Sequence, residues 1–215
     1  MKPITLSFDN GPSPGITERV LDTLAERAVR TTFFVVGDRL RDPTARRLAE
    51  RAVAEGHWVG NHTMTHSVQL GAAADDSVHE REIGAAQEII GSLSHGDRFF
   101  RPYGAGGVLT NELLSPGAVE YLQGGSYSLV LWSIVPRDWD PSVDWVESCL
   151  SHARTQAWPL VVLHDLPGCA PERLPELLDR LAAEGFEVRQ EIPDHSMPMH
   201  RGAMRATIDH LVRSH

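Results

Sequence analysis

Along the chain, short apolar runs alternate with longer stretches in which apolar residues recur at helical spacing. The runs ITLSF (4–8), TTFFVVG (31–37), SLVLWSIV (128–135) and PLVVLH (159–164) are rich in β-branched and aromatic side chains and too short for helices, so they predict buried strands. HWVGNH (57–62), RFFRP (98–102) and FEVRQEI (186–192) are weaker strand candidates. Between the strands, segments 16–28, 43–56, 78–93, 143–153 and 171–185 present an apolar stripe and a charged face, the pattern of amphipathic helices. Pro43 and Pro171 near two of the starts, and Gly56 and Gly185 at two of the ends, mark boundaries. The last stretch, 193–215, lies outside the alternation and predicts an extension with a terminal helix over about 201–213.

Strands alternating with helices imply parallel pairing through right-handed crossovers, in one α/β domain over residues 1–192. Two architectures satisfy this, an open doubly wound sheet and a β/α barrel, and they differ in where reactive residues fall. In the barrel every strand delivers its C-terminal end to one mouth. Asp9 and Asn10 close the first strand, His62 and His66 follow the 57–62 run, and Arg101 closes RFF. Asp138 comes shortly after SLVLWSIV, and His164 ends PLVVLH. Five polar clusters at five strand ends are the barrel-mouth pattern.

These residues divide naturally into roles. His62 and His66, four apart, can reach one divalent ion from a helical turn or from the two ends of a tight loop, with nitrogen donors about 2 Å away. Asn10 can add a carbonyl oxygen and leave positions open for water and substrate. Asp9 is the candidate base toward that water, and Arg101 the cation that would hold Asp9 in place and ionised. His164, ending the most apolar strand with Asp138 near it, is the candidate acid for the leaving group. Tyr103 and Trp139 are candidate walls for a sugar or another flat-faced ligand.

Bulk properties narrow the setting. The 215 residues carry a formal charge of -9, with no basic run above the acidic background, which excludes a nucleic-acid or anionic-membrane surface and favours neutral or cationic substrates. Cys149 and Cys169 fall in no C-x-x-C pattern and predict buried, reduced thiols. The opening MKPITLSFDN has neither a long apolar region nor a small-residue cleavage site. No apolar run reaches membrane-spanning length, so the expectation is a cytoplasmic chain without a membrane partner.

From about residue 4 to 190 the chain resembles the polysaccharide deacetylase family, also called the NodB-homology family or carbohydrate esterase family four. SFDNGP stands for its T-F-D-D-G-P motif, HTMTH for H-[ST]-x-x-H, FRPYG for R-x-P-Y-G, PRDW for D-x-x-D-W and VVLH for its final histidine strand. The resemblance implies a distorted (β/α)7 TIM-like barrel and a metal-dependent hydrolase that removes N- or O-linked acetyl groups from a saccharide. It implies Asp9 as base, His62 and His66 as metal ligands, Arg101 as orienter of the base, and His164 as acid paired with Asp138. It further implies a backbone N–H near Tyr103 as an oxyanion donor. The ion expected is zinc, ahead of cobalt, nickel or manganese.

Three departures stand out. Asn10 occupies the position of a metal-binding Asp, the Arg101–Gly104 segment is one residue shorter than the family's, and Val135 replaces the first Asp of the fourth motif. Two other functions share the fold: hydrolysis of small cyclic amides or imides, and sugar binding without catalysis.

Overall fold

The computed structural model describes residues 1–75 and 77–214. Its centre is β1 (Lys2–Asp9), flanked in parallel by β2 (Thr32–Val35) on one side and β6 (Leu160–His164) on the other. From β2 the sheet runs on through β3 (Trp58–Asn61), β4 (Phe99–Phe100) and β5 (Ser128–Leu129), all parallel. Beyond β5 the chain meets β6 at a single parallel bridge, Ile134 to Val161. That bridge closes the wall into a barrel. The seventh parallel strand, β7 (Phe186–Arg189), pairs with the N-terminal half of β1, where β6 has not yet begun. This off-path pairing departs from the order of a regular closed barrel.

Strand parity explains why β1 can be central and still polar. Ile4, Leu6 and Phe8 point outward into the main core against the helices, whereas Thr5, Ser7 and Asp9 point into the barrel. Inside, Phe34, Phe99, Val130, Leu160 and Val162 form a separate apolar cluster. The helices α1 (Thr17–Glu26), α2 (Pro43–Ala54), α5 (Trp145–Arg154) and α6 (Leu174–Ala183) occupy the predicted amphipathic segments. Their buried residues fall at three- and four-residue spacings, as in Val20, Leu21 and Leu24 of α1. The 78–93 segment is less regular: a π turn over Glu80–Gly84 runs into α3 (Ala85–Ile90) and then a 3-10 turn.

Two readings of the sequence need correction. A helix absent from it, α4 (Pro116–Gly124), is capped by the Ser115 side chain on the Ala118 N–H and buries Ala118 and Leu122. The extension is also not helical over 201–213. Met199–His200 forms β8, antiparallel to β5, and Ala203–Met204 forms β9, antiparallel to β8, with a 3-10 turn at Asp209–Leu211. The chain reverses at Arg201 and Gly202, both with positive φ, and buried Met199, Ile208 and Leu211 join a second core with α4. A hairpin edge for β5, rather than a helix on the surface, is what these apolar residues build. No helix among the described residues is long and apolar enough to cross a membrane.

Candidate active site

Parallel strands carry their C-terminal ends to the same rim, and the in-register pairing of Asp9 with His164 across β1 and β6 puts an acidic and a basic side chain side by side there. A cavity of about 260 Å³ opens between them, with Asn10, His62, His66, Tyr103 and Trp139 among its walls. Every residue singled out for chemistry lines it except Arg101 and Asp138, which sit behind the wall as partners of Asp9 and His164.

Arg101 is fully buried and points back across the barrel from β4. Its Nη1 donates to Asp9 Oδ1 and to Ser7 Oγ, both at 2.7 Å, and the guanidinium lies 3.9 Å above the Phe34 ring. Burial by itself would raise the Asp9 carboxyl. The positive Arg101, the largest of the opposing influences, outweighs that and holds it below the usual carboxylate range. Ser7 completes the arrangement by donating to the Val161 carbonyl, a role the sequence signals only through its parity with Asp9.

His62 and His66 come from a tight loop, the second of the two geometries open to H-x-x-x-H. Thr63 and His66 both have positive φ, and hydrogen bonds to side chains outside it hold the loop. The Asn61 amide oxygen accepts from Thr63 N–H, and buried Glu82 accepts from the N–H groups of Met64 and Thr65. Neither residue was foreseen, because a glutamate in an amphipathic segment reads as solvent-facing charge. The His62 Nδ1 bonds the Arg101 carbonyl at 2.8 Å, which fixes the proton on Nδ1 and turns a bare Nε2 toward the cavity, 3.5 Å from Asp9 Oδ2. Burial pushes both imidazoles below their ordinary value, His66 to about 3, so both present neutral nitrogens.

A metal fits this donor set on one further observation. Asn10, held at φ 77° just past β1, has a buried Oδ1 with no hydrogen-bond partner among the described residues. An unpartnered carbonyl oxygen that lines the same cavity as two neutral imidazoles could hold a cation together with them. Among the described residues no three His, Cys, Asp or Glu side chains are grouped to hold an ion.

On the neighbouring strand, His164 Nδ1 lies 2.7 Å from Asp138 Oδ1, while Asp138 Oδ2 accepts from the N–H groups of His164 and Ala170. Burial lowers the imidazole's affinity for a proton, but Asp138 more than compensates, and His164 titrates above its ordinary value. Trp139, 38% exposed, sets its ring edge-on to His164 at 4.9 Å. Tyr103 lies against His66 at 4.3 Å, and its N–H donates to no other group among the described residues. The shortened segment ends at Gly104 and is followed by Ala105, Gly106 and Gly107, which the Trp132 indole ties down through the Gly107 carbonyl at 2.8 Å. Val135 packs under Gly107, so an apolar contact stands where the fourth motif's first Asp would be. Cys149 and Cys169 are free and buried, and burial pushes both thiols up to about 12.

A family model described as polysaccharide deacetylase matches residues 1–115. A chitooligosaccharide deacetylase of Rhizobium leguminosarum bv. trifolii is 41% identical over 175 residues, 80% of this chain and 74% of that protein. A peptidoglycan-N-acetylglucosamine deacetylase of Bacillus cereus is 34% identical over 170 residues, 76% of this chain and 73% of the other. Among solved structures, a family 4 acetyl xylan esterase from Clostridium thermocellum, in complex with a cobalt ion, superposes with a TM-score of 0.71 at 28% identity, covering 88% of each chain.

Proposed function

Since the chain belongs to the polysaccharide deacetylase family, we propose that it is a metal-dependent hydrolase that removes acetyl groups from a saccharide, with zinc as its ion. The observation that carries this reading is the pairing across β1 and β6. A buried carboxylate held ionised by Arg101 stands beside an imidazole held ready for a proton by Asp138, and both line one cavity. A site for binding alone has no use for a base and an acid set side by side at its rim.

Asn10, His62 and His66 would hold the ion, which when bound supplies Lewis-acid polarisation and an acidified water. Asp9 takes the proton of the attacking water; its depressed pKa keeps it ionised throughout the neutral range. The Tyr103 N–H donates to the oxygen on which charge develops. His164 gives its proton to the departing amine or alkoxide, and Asp138 fixes the ring so that Nε2 faces the cavity. Trp139 and Tyr103 present aromatic walls to the apolar face of a sugar ring. The names of the relatives support an N-acetylated hexosamine oligomer as the first substrate to test.

Acetate release from N-acetylated chitooligosaccharides, measured with added Zn²⁺ or Co²⁺, tests this. The wild-type protein should release acetate, chelation should abolish release, and Asp9→Asn should be at least about a hundredfold slower. Equal release by wild type and Asp9→Asn would refute the assignment.

A further inference from the structure

One buried acid takes no part in the chemistry above. Asp165 directly follows His164, and by strand alternation its side chain leaves the opposite face, away from the cavity and toward the first turn of α1. It is 1% exposed. Its Oδ2 accepts from the Thr17 hydroxyl at 2.6 Å, and that same hydroxyl oxygen accepts from the Ser13 N–H at 2.7 Å. Its Oδ1 has no partner among the described residues. A buried carboxyl oxygen without a hydrogen bond is destabilising, so a stability role does not account for it.

What the carboxyl does touch is the turn bearing the base and the amide. A Cβ added to Gly11 would lie 1.9 Å from Asp165 Oδ2 and 2.3 Å from its Cγ, so the carboxyl fills the space a side chain would take there. On its other side the Gly11 carbonyl accepts from the Val36 N–H at 3.1 Å. The Asn10–Gly11–Pro12 turn is therefore held by Val36, just past β2, and by the Asp165 carboxyl. The backbone that presses on it is the one that carries His164.

We propose that Asp165, braced by Thr17, is a positioning residue that sets the Asn10 turn against the end of β6 and so holds the Asn10 amide oxygen in place for the metal. The inference rests on the reading of Asn10 as a metal donor. Shape and a hydrogen-bond acceptor are what the position requires, so the isosteric amide should serve and a small side chain should not.

Cobalt(II) titration of the purified full-length chain, followed by visible absorption, reads the ligand geometry independently of turnover. Asp165→Ala should bind cobalt about tenfold or more weakly, as loss of a supporting contact does at metal sites, with shifted absorption bands. Its kcat should fall while KM stays within about twofold, because substrate contacts are untouched. Asp165→Asn should return cobalt affinity to within about threefold of wild type. Leu122→Ala, a cavity under the buried face of α4, should lower the melting temperature without altering the cobalt spectrum. Wild-type affinity and spectrum in Asp165→Ala, or an Asp165→Asn as impaired as Asp165→Ala, would overturn the proposal. If Asp165→Ala does not fold, Thr17→Val decides in its place: weaker cobalt binding supports the brace, and wild-type binding overturns it. A wild-type protein giving no cobalt spectrum would refute the metal reading itself and this inference with it.

Discussion

Replacing Arg101 with methionine keeps most of the side chain's volume and removes its charge from a wholly buried place. At the observed 2.7 Å, and with an effective dielectric of about 20, the attraction to Asp9 is on the order of 6 kcal/mol before desolvation is set against it. Removing one partner leaves Asp9, itself only 4% exposed, as an uncompensated buried charge, which costs about 3–5 kcal/mol. The lost contacts to Ser7 and Phe34 add a packing component, and a double-mutant cycle removes it. Urea unfolding of wild type, Arg101→Met, Asp9→Asn and the double variant, all in chelator at neutral pH, should give a coupling of about 3 kcal/mol, with the double variant more stable than Arg101→Met alone.

The pH dependence follows from the signs. In the wild type the Asp9 carboxyl is held below its ordinary value of 3.8, so its contribution is present above that value and lost as pH falls through the lower, folded one. In Arg101→Met burial raises the carboxyl instead, and the deficit relative to wild type should widen as pH rises from about 3 to 7. A coupling below about 1 kcal/mol, the level of an exposed pair, or a deficit that does not change with pH, would refute the claim that charge rather than packing ties Arg101 to Asp9.

Further outcomes are expected. Asp138→Asn should cost about a hundredfold or more in kcat and move the alkaline limb of the kcat–pH profile downward, because Asp138 is what raises His164; an unmoved limb would disprove that coupling. Asn10→Asp places a carboxylate where the amide oxygen is unpartnered and should tighten zinc by about tenfold, or 1.4 kcal/mol, in competition with a chromophoric chelator. Unchanged affinity would mean that this side chain is no ligand. Trp139→Ala should raise KM roughly fivefold, about 1 kcal/mol of lost aromatic contact, and an unaltered KM would remove Trp139 from the substrate wall.

Much of the site was legible because a barrel's strand ends are where the hydrophobic pattern stops and polar residues begin. Asp9, Arg101 and His164 each occupy such a stop. Less legible were groups whose roles depend on partners far along the chain. Glu82 supports the histidine loop from a turn that reads as solvated, and Asp165 meets Thr17 across 148 residues. Short elements were hardest. The helix Pro116–Gly124 has a weak apolar stripe and a glycine at its end, and the terminal segment has apolar residues at helical spacing that the Arg201–Gly202 reversal puts to another use. Packing against β5 and α4 decides that segment, and packing leaves no local signature.

The uneven wall of the barrel has a consequence for how such a catalyst can change. β1 and β6 run for eight and five residues, whereas β4 and β5 have two each and the seam beyond them is one bridge. Asp9 and His164, the pair that would exchange protons with substrate, stand on the sturdy side. Arg101 and Asp138, which bias that pair, hang from the flimsy one. Rebuilding the flimsy side would retune acidity while leaving the reacting atoms where they are, so new pH optima are open to this scaffold without a new catalytic pair.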